Sequence, residues 1–438
     1  DSHVGVLSFP FGTHAAPLVA LVRRLAAAAP TVRFSFFNGS TSNRNIDIVA
    51  VAEAHANVKG YDVWDGTPEG FSGTHFEEVG LFLKASPGNF QKALEVAEAQ
   101  VGLPVSCFIA DAFLWFTGEL AEKRGVPWLA FWAAASCSLA AHVYTHEIVA
   151  AAKDRSPRGK LTSIPGLETA DFDDLPPEIF LEENPTPLAV TIDKMVKHLP
   201  SSAALVLNSF EEIDPTITAD LKTKFRHFLN IGPSILASPP LPPPDKSGCL
   251  RWLDAQTTSS VIYISFGTVI VPPEHELSAL AAALEASHLP FLWSLSDRAK
   301  KTLPEEFLRR TAETGKIVPW APQLQILSHR SVAAFVTHCG WNSIVESICG
   351  GVPLICRPFF GDQKVNGRMV QDSWKIGVIV DGGVFTETAT LGALKTVTNS
   401  KDGKKMRENA IKLKQHAVDA TKPQGTSTHN FHKLLQLI

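Results

Sequence analysis

The chain has 438 residues, a formal net charge of −4 at neutral pH, 45% hydrophobic and 19% charged residues. That length holds two or three domains with ample core-forming residues. The lack of a long run of one sign removes the electrostatic case for a nucleic-acid partner. Six cysteines (Cys107, Cys137, Cys249, Cys339, Cys349, Cys356) lie mostly in apolar runs with no CxxC pairing. They read as buried free thiols in a reducing compartment rather than as disulfides or a zinc site.

The chain passes from Asp1-Ser2-His3 directly into a strand-like run. It shows no signal-peptide pattern, no apolar stretch of transmembrane length and no C-terminal anchor signal. A cytoplasmic monomer with no membrane partner is expected. Asn38-Gly39-Ser40 matches a glycosylation sequon but reads better as a turn after a strand.

Strand-like runs alternate with helical ones throughout. In the first half the strands read as 4–9, 32–37, 105–110, 128–132 and 204–208, with helical stretches at 15–29, 76–101 and 136–152. In the second half the strands read as 261–266, 291–295, 317–320, 333–337, 353–356 and 376–380, with helical stretches at 274–287 and 341–350. Such alternation predicts an α/β protein with parallel, doubly wound sheets. Between the halves, Ser238-Pro239-Pro240-Leu241-Pro242-Pro243-Pro244-Asp245 can join neither a helix nor a central strand. Each half also opens on a strand that ends near Ser-Phe and is followed by Gly-Thr, at Gly12-Thr13 and Gly267-Thr268. Two facing Rossmann-like domains are expected: a first domain at 1–233, a linker at 234–249 and a second domain at 250–424.

Candidate chemistry sits at the ends of these strands. His14 follows the first strand, and Gly12 lets the turn tighten beneath it. Asp111 ends another buried strand, where a lone acid needs a partner. Two parallel strand ends can bring the pair within hydrogen-bond reach, so that the carboxylate orients an imidazole acting as a base.

The stretch from Trp320 to Gln363 reads WAPQLQILSHRSVAAFVTHCGWNSIVESICGGVPLICRPFFGDQ. Within it a buried strand feeds the turn His338-Cys339-Gly340, and a helix opens at Trp341-Asn342-Ser343. Free backbone N–H groups and a positive dipole end make that helix start a site for an anion, most simply a phosphate. Asp362 and Gln363 follow the next strand at its carboxyl end, the edge where open α/β sheets bind ligands.

This stretch resembles, nearly position for position and over all 44 residues, the signature box of plant family 1 UDP-sugar-dependent glycosyltransferases. The resemblance implies the GT-B fold, with a last helix at 425–438 crossing back onto the first domain. It implies His14 as base and Asp111 as its partner. It implies Trp320 stacking on the uracil, with Ala321 and Gln323 at the base's edge and Glu346 on the ribose hydroxyls. His338, Asn342, Ser343 and Thr268 would surround the diphosphate, and Trp341, Asp362 and Gln363 would hold the sugar. A diphosphate met by neutral donors and a helix dipole needs no metal, and no DxD-type pair is placed to bind one; no cofactor beyond the UDP-glucose donor is expected. In-line attack would invert the anomeric centre. A terminal Gln in the box goes with glucose in this family, and Gln363, able both to donate and to accept, would bracket two sugar hydroxyls together with Asp362.

The whole chain looks most like flavonoid 3-O-glucosyltransferases, through FGTHAAP, DAFLWF, NIGP and RPFFGDQ. A small phenolic acceptor is therefore expected, with the 3-hydroxyl of flavonols or anthocyanidins favoured. Gly12, Phe76, Phe113, His142 and Phe360 are assigned to it. Phe113, Trp115, Phe116 and Phe131 form an aromatic cluster around Asp111 that reads equally as a pocket for a flat polyphenol or as plain core. Two positions depart from that subgroup: Phe76 replaces a polar Gln, and Ala133 replaces a Thr. Both changes remove hydrogen-bonding groups, so another phenolic acceptor, or C- rather than O-attack, stays open. A nicotinamide-dependent oxidoreductase would need GxGxxG after the first strand, where the chain has Phe9-Pro10-Phe11-Gly12-Thr13-His14. A binding protein without catalysis would have no use for His14 and Asp111.

Overall fold

A computed structural model describes residues 2–46, 48–153, 159–180, 185–240 and 242–438. Asp1 and Leu241 of the linker run lie outside the described residues.

The strands in chain order are β1 (His3–Leu7), β2 (Arg33–Gly39), β3 (Val58–Val63), β4 (Cys107–Asp111), β5 (Trp128–Trp132), β6 (Ala204–Leu207), β7 (Phe228–Asn230), β8 (Val261–Ser265), β9 (Phe291–Ser294), β10 (Gly315–Val318), β11 (Val332–Thr337), β12 (Leu354–Cys356) and β13 (Gly377–Ile379). They form a seven-stranded sheet ordered β3-β2-β1-β4-β5-β6-β7 and a six-stranded sheet ordered β10-β9-β8-β11-β12-β13. Their pairings are parallel. In both sheets the winding reverses beside the first strand, at β1/β4 and at β8/β11. Crossovers on the two sides of such a reversal leave opposite faces, so a crevice opens at the carboxyl ends of those central strands.

Two strands go beyond the sequence reading. β3 (VKGYDV) and β7 (FLN) are the edges of the first sheet. A polar or short edge strand carries little of the apolar signal by which buried strands are read. β10 ends at Val318, leaving Trp320 outside the sheet and half exposed. The helical stretch expected at 136–152 is two helices, Ser136–Val143 and Thr145–Lys153, parted at Tyr144. Asn38 of the sequon is fully buried and Gly39 ends β2.

One apolar cluster runs without a break from the first sheet (Leu7, Phe108, Trp132) to the second (Tyr263, Phe335, Ile344). The outer face of the first sheet is closed by Phe431 and Leu434 of the helix Thr426–Leu435, while Asn430 donates to the Asn230 carbonyl and to Glu211. The outer face of the second sheet packs on the helix Glu274–Ser287. All six cysteines are buried and free. Among the described residues no helix is long and apolar enough to cross a membrane.

A buried ion pair anchors the loop that closes the 44-residue box. Arg357, next after β12, forms a two-pronged pair with Glu276, Nε to Oε2 at 2.8 Å, and its guanidinium lies 3.7 Å from the centre of the Phe359 ring. Glu276, 2% exposed, also accepts from the Phe385 N–H. Burial acts to raise its pKa, but the Arg357 bonds and charge outweigh it and hold the carboxyl ionised. Glu276→Ala leaves a guanidinium buried without its partner, so denaturant titration should show a loss of about 3–5 kcal/mol; a loss below ~1 kcal/mol would show that solvent reaches Arg357.

Candidate functional site

His14 and Asp111 meet at the winding reversal of the first sheet, where Leu7 of β1 is in register with Ala110 of β4. Asp111 ends β4, and His14 stands just before the helix Ala15–Ala28. His14 Nδ1 lies 2.8 Å from Asp111 Oδ2, while Asp111 Oδ1 accepts from the Phe113 N–H at 3.0 Å. The carboxylate is almost fully buried, whereas the imidazole keeps 24% of its side chain exposed. Burial alone would lower the pKa of His14. The charge of Asp111, its hydrogen bond and the charge of Asp362 prevail and raise it above the ordinary histidine value. With Nδ1 held by the acid, Nε2 is left as the nitrogen that can take a proton.

Both side chains line a cavity of about 500 Å³ between the two domains. Its first-domain wall includes Phe113, Trp132, Ala133 and His142, and an outer wall is made by Leu175 to Glu178 with Leu188 and Ile192. The second domain contributes Phe359 to Asp362 and Lys364. Phe76 stands on its rim, largely exposed, in the first turn of the helix His75–Val101, which is fixed by a Thr74/Glu77 capping box. His142 is 4% exposed with no partner on Nδ1, and burial lowers its pKa to about 4, so it faces the cavity as a neutral imidazole.

Several expected acceptor residues lie elsewhere. Gly12 is exposed and off the cavity wall. Phe131 points into the opposite core, because neighbouring strand residues face opposite sides; Trp132 takes the cavity face instead. Phe116 is buried against Phe90, and Trp115 packs on His198 beneath Lys194.

The remaining candidates gather at the carboxyl edge of the second sheet. The helix Trp341–Gly350 opens after Gly340 without a side-chain cap, so its first N–H groups are free for an anion. His338 overlies that start. A Cβ on Gly340 would come within 2.5 Å of its Nε2, and one on Gly267 within 3.1 Å of the ring, so the ring fits only between two glycines. Burial lowers the pKa of His338 to about 4, leaving it neutral. Thr268 is exposed on the facing turn. Asn342 Nδ2 reaches the Thr13 carbonyl at 3.3 Å, which brings the helix start to the residue next to His14.

Three side chains are committed in ways that change the roles expected of them. The Trp341 indole N–H donates to the Asn208 carbonyl at 3.0 Å, so it joins the domains and is not free for a sugar hydroxyl. Gln323 accepts from Tyr263 Oη at 3.1 Å and donates to Glu346 at 2.6 Å and Ser343 at 3.0 Å. It orients Glu346, and its amide is not presented outward; Ala321 is buried near it. Burial raises the pKa of Glu346 to about 7, with the Gln323 bond acting against the shift. Gln363 Oε1 accepts from the Phe359 and Phe360 N–H groups at 2.8 and 3.2 Å. Its oxygen is therefore taken, and the amide is left as a donor rather than as both donor and acceptor. Asp362 Oδ2 accepts from Asn366 at 2.9 Å.

Among the described residues no three His, Cys, Asp or Glu side chains cluster as a metal site requires.

The family described as UDP-glucoronosyl and UDP-glucosyl transferase matches residues 243–424. A flavonol 3-O-glucosyltransferase of Actinidia chinensis var. chinensis is 51% identical, covering 100% of this chain and 96% of that protein. An anthocyanidin 3-O-glucosyltransferase of Gentiana triflora is 52% identical, covering 99% and 97%. The crystal structure of a UDP-glucose: anthocyanidin 3-O-glucosyltransferase in complex with UDP matches with a TM-score of 0.95 at 39% identity, covering 100% of this chain and 98% of that one. The two facing sheets are thus the GT-B fold, and the chain belongs to the UDP-glucosyl transferase family of UDP-sugar-dependent glycosyltransferases.

Proposed function

We propose that this enzyme transfers glucose from UDP-glucose to the 3-hydroxyl of a flavonol or anthocyanidin, with inversion and without a metal ion. The observation that carries the reading is the His14–Asp111 hydrogen bond of 2.8 Å on the wall of a largely apolar cavity, opposite Asp362 and close to an uncapped helix start. His14 Nε2 accepts the acceptor's proton as the oxygen attacks the anomeric carbon. The bond from that carbon to the diphosphate oxygen breaks, and its electron pair leaves with UDP. Asp111, with the charge of Asp362 nearby, stabilises the imidazolium. The leaving diphosphate is met by the N–H groups at Trp341–Ser343 and by His338, which are fixed before the reaction starts. Trp320 offers its exposed face to the uracil, and Glu346, held by Gln323, accepts from the ribose. The rest of the cavity is lined by Phe113, Trp132, Phe359, Phe360 and proline rings, suited to a flat aromatic acceptor. Comparison with the two 3-O-glucosyltransferases supports the acceptor class and the sugar.

The direct test is a panel of flavonols, anthocyanidins, flavones and simple phenols with UDP-glucose, products read by NMR. A β-glucoside at the 3-oxygen is expected. A carbon-linked or α-linked product, or none from any flavonoid, would overturn the reading. UDP-glucose should exceed UDP-galactose by at least about tenfold in kcat/KM, since the epimer leaves part of the Asp362–Gln363 bracket unmet, at roughly 1–3 kcal/mol.

Added EDTA should leave the rate unchanged; a large loss restored by magnesium would show that the helix start does not suffice for the leaving group. The pH profile tests the base. Neutral His14 predominates only above its raised pKa, so kcat/KM should climb through an acid limb lying above the ordinary histidine value. Asp111→Asn removes the neighbouring negative charge that does most to raise that pKa and leaves the more distant charge of Asp362 against burial, which lowers it. The limb should move to lower pH while the plateau drops by about 10⁴-fold, as when a triad acid is neutralised. An unmoved limb with most activity retained would remove His14 as the base.

A further inference from the structure

The short helix Gln363–Arg368 carries a sugar-holding candidate at its start and a cation at its end. The guanidinium of Arg368 crosses to the first domain. Its Nε donates to Asp174 Oδ2 at 2.8 Å and its Nη2 to Asp174 Oδ1 at 3.3 Å, a two-pronged pair. Asp171 Oδ2 lies 3.5 Å away, and Asp372 accepts from Nη1 at 3.2 Å. Asp174 is 7% exposed, and its Oδ2 also receives the Asp171 N–H at 2.9 Å, which fixes the carboxylate on its own segment. The next four residues, Leu175 to Glu178, are the outer wall of the cavity. Two weaker contacts follow the same line: Thr169 Oγ1 with Ser373 Oγ at 3.0 Å and Lys364 with the Asp173 carbonyl at 3.5 Å.

We infer that Arg368 is a positioning residue for transfer: its paired bonds to Asp174 set the spacing between the cavity wall at Leu175–Glu178 and the sugar-holding end of the helix at Asp362-Gln363. This rests on the proposed roles of that cavity and of those two residues. Cohesion of the domains does not depend on Arg368, because Trp341–Asn208, the Trp374–Asp214–Ser136 chain of buried bonds at 2.7 and 2.6 Å, and the helix Thr426–Leu435 join them elsewhere. The requirement is instead geometric. A planar fork fixes two distances and an angle at once, whereas a lysine would supply only a point charge. A shift of about 1 Å at the reacting atoms can reduce a rate roughly 100-fold.

Arg368→Lys, Arg368→Met and Asp174→Asn should each lower kcat about 10- to 100-fold and raise the acceptor KM, leaving the KM for UDP-glucose and the affinity for UDP within about twofold. Slow hydrolysis of UDP-glucose without acceptor should persist, so the ratio of hydrolysis to transfer rises. The pair Arg368→Met with Asp174→Asn should be no worse than the worse single variant, as expected for one shared interaction. UDP affinity reports folding of each variant, and Asp174→Asn tests the contact even if Arg368→Met does not fold. Retained kcat and acceptor KM in Arg368→Met, or equal loss of UDP affinity and transfer in all three variants, would overturn the inference. A wild type that transfers nothing to the flavonoid panel would instead remove the functional reading on which it rests.

Discussion

A parallel sheet whose winding reverses next to its first strand has one place on its carboxyl edge where the connections part, and this chain builds that place twice. In the first sheet the gap lies between β1 and β4, and the residues delivered there are His14 and Asp111. In the second it lies between β8 and β11, and the residues are Thr268 and the His338–Ser343 turn. Right-handed crossovers leave little choice about either gap. What remains is to turn the two edges toward each other, and the Asn342–Thr13 contact marks where they meet. The proposed base, leaving-group site and sugar bracket therefore stand on different strand ends of a shared frame. None depends on a long loop for its place.

The frame holds because the interface is built like an interior. A single apolar cluster passes from one sheet to the other, and polar groups that cross it are buried and bonded. Leaving such groups unpaired costs about 1–3 kcal/mol each, so the contacts select one arrangement of the halves more than they add net stability. Asp214 illustrates this. Burial raises its pKa against the bonds from Ser136 and Trp374, which together tie the start of the helix bearing Ser138 and His142 to the second domain.

Much of this was legible in the sequence, for reasons that also mark where legibility stops. Central strands such as β4 and β11 are buried on both faces and read as continuous apolar runs; the edges β3 and β7 do not. A turn at the carboxyl end of a buried strand announces a ligand edge, as at His14, His338 and Asp362. Hydrogen-bond commitments leave no trace in composition. The Trp341 indole is taken by a carbonyl 133 positions away, and the Gln363 oxygen by two N–H groups of its own loop. The aromatic cluster shows a parity limit. Phe131 and Trp132 differ by one position in a strand, and only the register of the sheet decides which faces the cavity. The outer wall at Leu175–Glu178 runs from one short 3₁₀ turn into the next without periodicity, so nothing in the sequence marks it as a wall of the cavity.

The helix Thr426–Leu435 has a consequence for how the chain is made. Phe431 and Leu434 complete a core whose other members, including Val4, Leu18 and Phe36, lie hundreds of positions earlier. As the polypeptide emerges during synthesis, the first sheet can assemble long before those side chains exist, with an apolar strip and the Asn230 carbonyl uncovered. The nascent first domain is thus a half-sealed body that waits for its last helix, and it is exposed to aggregation through that strip while the second domain folds. Loss of the final turns would injure the domain that holds His14 and Asp111 while sparing the one that holds the UDP-sugar signature, the reverse of what sequence order suggests.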